Sequence, residues 1–238
     1  WNSVWQGTNE TLIEQRYPGW DDHAAHFDWL LRAFTDRRYL TVEGKPIFVI
    51  YKPDDIPEVA RLADFWRERA VKAGLPGLYL IGVSHYQQHW DPLQRGLDAS
   101  TMQALPARDG RIPWRHFATK LKLALQGNKH ELAIWDYEQV LPILLRTHQV
   151  DWPDYPLVLP NWDNTPRSGL RGLVIENATP ERFRGLLREA ITRVEQRAPD
   201  ERIVFLKAWN EWAEGNHVEP DQKWGRAWLE VIKEELSR

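Results

Sequence analysis

Residues 46–83 read PIFVIYKPDDIPEVARLADFWRERAVKAGLPGLYLIGV. Pro46–Tyr51 is a short apolar, β-branched run bounded by Pro and Lys-Pro, which reads as a strand. Pro57–Ala73 then carries Val59, Leu62, Phe65, Trp66 and Ala70 at helical spacing. Gly74 is a natural stop for that helix. Leu78–Val83 is a second near-continuous apolar run, the pattern of a strand buried on both faces of a parallel sheet. Strand, helix, strand within 38 residues is a βαβ unit, and it sets the class as α/β with parallel strands.

The same alternation extends outward. A weaker strand lies at Leu97–Ser100, and others at Pro156–Pro160 and Arg202–Lys207. Asp22–Phe34 puts Phe27, Leu30, Leu31 and Phe34 on one helix face. Thr179-Pro180 opens a helix as N-cap and first helical residue, and Phe183, Leu186, Leu187, Ala190, Ile191 and Val194 form its apolar face. A last helix covers about 224–236. Residues 104–150 are less regular, with helices expected near 114–125 and 138–147. This gives about five βα units, whereas a closed barrel needs eight. Two readings stay open: an open sheet, or the C-terminal part of a barrel. No linker, repeat or low-complexity segment divides the 238 residues, so a single domain over 1–238 is expected.

Composition narrows the classes. Hydrophobic residues make up 42% and charged residues 27%, enough for a packed core and unlike a disordered chain. The net charge is −3 with no basic stripe, which argues against a nucleic-acid partner. No apolar run reaches the roughly 18 residues of a membrane span. Cysteine is absent, which removes disulfides and thiolate metal sites and fits a cytoplasmic location. The chain begins at Trp1, so these residues do not address a targeting signal. Tryptophan occurs 14 times, and indole is both a core filler and a platform for sugar rings.

The chemistry concentrates after the last strand candidate, in Trp209-Asn210-Glu211-Trp212-Ala213-Glu214-Gly215. Two carboxylates three residues apart share one side of a turn. Such a pair can divide the acid and base roles of glycoside hydrolysis. A solvated helix start with acidic residues favoured by the dipole is the bland reading of the same spacing. Trp209 and Trp212, Asn210 and the strand-end position favour chemistry over it. His217 and Glu219-Pro220-Asp221 follow; with Glu211 and Glu214 they offer an oxygen-rich metal site or plain surface polarity.

Trp162-Asp163-Asn164-Thr165-Pro166-Arg167 reads either as a turn or as a sugar-facing loop. In the second reading Trp162 stacks and Asp163 accepts from hydroxyls. His85 and His89 have chelating spacing but lack the Glu of a zincin motif, so a pocket-lining loop is the better reading. Asn9-Glu10-Thr11 and Asn177-Ala178-Thr179 match the glycosylation sequon, which arises easily by chance. No phosphate loop, dinucleotide fingerprint or Gly-x-Ser-x-Gly elbow is present, and no cofactor or metal is called for.

The run from Trp209 to Pro220, WNEWAEGNHVEP, resembles the strand-end motif of glycoside hydrolase family 99. It is still more similar to the WbsX-type proteins of bacterial polysaccharide and O-antigen gene clusters. Leu12–Gln15, His26-Phe27, Arg38–Pro46, Trp162–Arg167 and Trp224–Leu229 agree with the second group, so the similarity spans essentially the whole chain. The resemblance implies a (β/α)8 TIM-type barrel, here its last five βα units, with earlier strands preceding Trp1. It implies that Glu211 deprotonates the substrate's own 2-hydroxyl, which attacks the anomeric carbon, and that Glu214 is the general acid/base. This is an exception to the usual two-carboxylate scheme. Ala213 departs from the His typical of the hydrolases, so endo-mannosidase specificity is not carried over.

The expected substrate contacts are Trp209, Asn210, Trp212, His217 and Glu219 around the pair. Trp162 and Asp163 join them from the neighbouring loop, and Tyr51 and His85 from other strand ends. The expected partner is a polysaccharide or oligosaccharide, cleaved with retention at an α-glycoside. The competing expectations are a glycosyltransferase and a non-catalytic sugar-binding module.

Overall fold

Residues 46–83 form one strand–helix–strand unit. Strand β2 (Lys45–Ile50) follows helix α1 (Trp20–Phe34) and the short β1 (Thr41–Val42), and leads through α2 (Val59–Lys72) into β3 (Tyr79–Ser84). The computed structural model describes residues 10–85, 90–103, 105–107, 111–125, 132–145 and 150–238. His89 and Asn9 lie outside them.

The chain continues through β4 (Ala99–Met102), α3 (Phe117–Leu125), β5 (Ala133–Asp136), α4 (Tyr137–Leu144), β6 (Asp154–Tyr155) and β7 (Leu157–Val158). Then come β8 (Trp162–Asp163), α5 (Thr165–Ser168), β9 (Leu173–Glu176), α6 (Pro180–Val194), β10 (Phe205–Leu206), β11 (Asn210–Glu211), β12 (Asn216–His217) and α7 (Ala227–Leu236).

Strands β2, β3, β4 and β6 run parallel in that order, with Ile47 opposite Tyr79, Ile81 opposite Ala99 and Ser100 opposite Asp154. Pro156, which carries no N–H, separates β6 from β7. On its far side β7 pairs in parallel with β10, Leu157 opposite Phe205. Phe205 N donates to Pro156 O at 2.9 Å and Lys207 N to Val158 O at 3.0 Å. The segment 154–158 thus passes the sheet from β4 to β10. The result is a mixed α/β fold with a curled half-barrel sheet.

Side chains alternate between the two faces of this sheet. Leu78 and Leu80 point to the face covered by α1 and α2, where they meet Phe27, Leu30, Leu62 and Trp66. Tyr79 and Ile81 point to the other face with Ala99 and Tyr155, joined by Ile47, Ile203 and Phe205. The Tyr79 and Tyr155 hydroxyls share a 2.9 Å hydrogen bond across β4. Gly82 has no room for a side chain: a Cβ there would stand 2.3 Å from Trp90.

A second sheet departs from the expected alternation. β5 and β9 pair in parallel and β8 joins β9 antiparallel. Under it, α4, α6 and α7 close the largest core, including Tyr137, Trp162, Leu173, Phe183 and Trp228. Its strands interrupt the chain between β4 and β6 and between β7 and β10, so plain βα units do not describe those stretches. The strand at the end of the half-barrel is also shorter than expected, two residues rather than the whole of 202–207. The Thr179 cap is present: its hydroxyl accepts from Arg182 N at 3.3 Å, with Pro180 first in α6.

Candidate functional site

The chain leaves β10 through Lys207 and Ala208, joined by a cis peptide bond, and enters the β11–β12 hairpin. Asn210 lies opposite His217 and Glu211 opposite Asn216. A 3₁₀ turn, Trp212–Glu214, links the strands. Side chains three apart eclipse on such a turn. Glu211 immediately precedes the turn and Glu214 ends it, and both carboxylates face Arg167. Gly215 closes the turn with φ +53°, a left-handed conformation suited to glycine. A Cβ at that position would also stand 2.8 Å from Asp163 O. With only a hydrogen there, the hairpin seats directly on the β8 backbone.

Two asparagines hold it there. Asn161 Nδ2 donates to His217 O at 3.1 Å, and Asn161 Oδ1 accepts from His217 N at 2.9 Å. Asn216, fully buried, donates through Nδ2 to Asn161 O at 2.8 Å and to Lys207 O at 3.0 Å.

Helix α5 supplies Arg167. One nitrogen, Nη1, lies 3.5 Å from Glu211 Oε1 and 3.7 Å from Glu214 Oε1. The two carboxylate oxygens are therefore no farther apart than those distances laid end to end. That is inside the roughly 10 Å spanned by glycosidase carboxyl pairs. The Glu211 side chain is 43% exposed and that of Glu214 24%.

Lys207 directly follows β10. Its Nζ stands 4.6 Å from the centroid of the Trp162 ring. Burial pushes the Lys207 ammonium below its ordinary pKa, while Glu214 and then Glu211 pull it the other way.

The other expected contacts divide into four groups. Trp209 and Trp212 are about half exposed beside the turn, and Asn210 is exposed. His217 and Glu219 are engaged within the hairpin region: His217 Nε2 lies 3.2 Å from Asp221 Oδ2, and Glu219 Oε2 accepts from Trp212 Nε1 at 2.7 Å. Asp163 accepts from Thr165 N and Oγ1 at 2.9 and 2.6 Å. Tyr51 and His85 touch each other, with His85 Nε2 2.8 Å from Tyr51 O, and β4 and the 154–158 segment separate β3 from β10.

Trp162 needs correction. It is 3% exposed and packed in the core, with Lys207 over its ring. A ring so enclosed has no open face for a sugar. Conversely, Arg167 is part of a recognisable motif, but its role emerges only in the fold. Lys207 and Asn161 carry no sequence signal, and Asn216, though inside the Trp209–Pro220 run, is not singled out by its spacing.

A model of the WbsX glycosyltransferase family matches residues 1–232. The chain belongs to the WbsX glycosyltransferase family. WxcX of Xanthomonas campestris pv. campestris, in two strains, is 30% identical over 240 residues. That alignment takes in 100% of this chain but 33% of WxcX, so the chain spans about a third of the curated relatives it matches. Among solved structures, a glycoside hydrolase-like protein superposes with a TM-score of 0.57 at 18% identity, over 90% of this chain and 60% of that one. The GH99 endo-alpha-mannosidase from Bacteroides thetaiotaomicron gives 0.53 at 16%, over 95% and 66%. This WbsX-family chain therefore has a glycoside-hydrolase-like fold. Among its described residues, no helix is long and apolar enough to cross a membrane.

Proposed function

We propose that this WbsX-family chain carries a glycosidase centre that acts on a bacterial surface polysaccharide and cleaves an α-glycoside with retention. Glu211 removes the proton of the sugar's 2-hydroxyl. O2 then bonds to C1 as the C1–O glycosidic bond breaks, and Glu214 gives its proton to the departing oxygen. Water next attacks C1 and loses a proton to Glu214. O2 leaves C1 and regains its proton from Glu211. Atoms and charge balance over the two steps, and C1 is inverted twice.

The observation that supports this most is the bridging of both carboxylates by Arg167 Nη1 at 3.5 and 3.7 Å. It brings the two groups into one site at a strand end, beside two half-exposed indoles. The test is release of reducing ends from bacterial polysaccharides by the wild type, lost in Glu214→Gln. No release across a broad panel, together with transfer from a nucleotide sugar, overturns the reading. That outcome favours the second reading, a glycosyltransferase, which rests on the name of the family. Sugar affinity without turnover, unchanged in Glu211→Gln and Glu214→Gln, would leave a binding module.

A further inference from the structure

Among the described residues, the Lys207 ammonium at this site has no hydrogen-bonding partner. It carries three donors. Among the described residues none of them meets an acceptor, and the group rests on the Trp162 ring at 4.6 Å. A half-buried ammonium without an acceptor is costly, because the hydration it gives up is not replaced. Cation–π contact returns only part of that. The charged groups acting on Lys207 are Glu214 and, more weakly, Glu211. Arg167 already lies against both.

The charge count depends on the catalytic state, and on this point the inference rests on the glycosidase reading above. When Glu214 holds the proton it will donate, Glu211 alone is negative, facing Arg167 and Lys207. Of the two glutamates that act on Lys207, only one then remains charged. Lys207 sits at the end of β10, where the chain turns into the hairpin that carries both glutamates. We propose that Lys207 receives an anionic substituent of the saccharide, so that the site selects acidic sugars such as uronate-bearing chains. The carboxylate supplies the acceptor that the ammonium lacks. Trp162, buried beneath, props the ammonium toward the ligand and does not itself stack on sugar.

The test is a binding measurement in the Glu214→Gln chain, which keeps position 214 neutral and stops turnover. Oligogalacturonate, alginate and hyaluronan oligomers of about four to six sugars are titrated calorimetrically, each beside its carboxyl-reduced counterpart. At least one acidic oligomer binds about tenfold tighter than its reduced partner, the worth of one charge-assisted hydrogen bond. Adding Lys207→Met removes that preference and leaves the affinity for the reduced oligomer unchanged; Lys207→Gln serves if the Met variant does not fold. Absence of any acidic preference in the parent overturns the proposal, as does a preference that survives loss of the ammonium. The hydrolase reading fails separately, through absence of reducing ends with the wild type, and that result leaves the binding ratio intact.

Discussion

The indole of Trp212 lies flat on the imidazole of His217, with ring centroids 3.7 Å apart and planes 15° from parallel. Trp212 Nε1 also donates to Glu219 Oε2 at 2.7 Å, and His217 pairs with Asp221. Three residues expected to touch substrate thus hold one another. The outer face of Trp212 stays open, and Trp209 and Asn210 are exposed beside it.

The two indoles should therefore separate in mutagenesis. Trp212→Ala loses the stack and a hydrogen bond and lowers the unfolding free energy by about 1–2 kcal/mol. Trp209→Ala stays within about 0.5 kcal/mol of wild type. Both weaken oligosaccharide affinity. Urea unfolding decides the first pair of values; equal destabilisation by the two would contradict the arrangement.

Arg167 holds two like charges in one site. Arg167→Met leaves Glu211 and Glu214 facing each other without the bridging cation, and reducing-end release falls by about tenfold or more. Arg167→Lys keeps the charge but not the fork, and recovers part of the rate. Wild-type rates in Arg167→Met would mean the bridge is incidental.

Two glycines should respond in opposite directions to alanine. Gly215→Ala introduces a Cβ at φ +53°, 2.8 Å from Asp163 O, and costs about 1–3 kcal/mol. Gly185 lies exposed within α6, and a methyl group added there would meet nothing within 4 Å. Gly185→Ala gains about 0.5–1 kcal/mol from helix propensity. Thermal unfolding of the two variants, read side by side, checks both signs.

Acid stability should depend on Glu235. This carboxylate is 4% exposed between α6 and α7. Arg188 first, and then Arg184, hold it down to about 2 from an ordinary 4.5, against the opposing effect of burial. A depressed folded pKa means stability that is fully present above about 4.5 and lost as pH falls toward about 2. Glu235→Gln should be less stable than wild type near neutrality and should show a flatter pH dependence across that window. Parallel denaturation curves for the two proteins through the acid range would contradict it.

Much of the scaffold follows from local pattern. The face of α1 with Phe27, Leu30 and Phe34, the Thr179-Pro180 start of α6 and the strands within 46–51 and 78–83 each follow from neighbours within a few residues. The second sheet is not legible in this way, because β5 and β9 have four residues each, too few for a periodicity to stand out. β10 is shorter than its apolar run suggests, because Ile203 and Val204 serve packing and not the ladder.

At the site the division has the same cause. The spacing of Glu211 and Glu214 and the indoles around them are properties of one short segment, and the 3₁₀ turn expresses them directly. Their setting comes from elsewhere. Asn161 reaches His217 across 56 residues, Arg167 bridges both glutamates from α5, and Lys207 covers Trp162. Local sequence fixes which groups a turn presents, because turn geometry depends on adjacent residues. Which charges face them, and which ring is buried, depends on how distant loops pack, and only the folded chain brings those loops together.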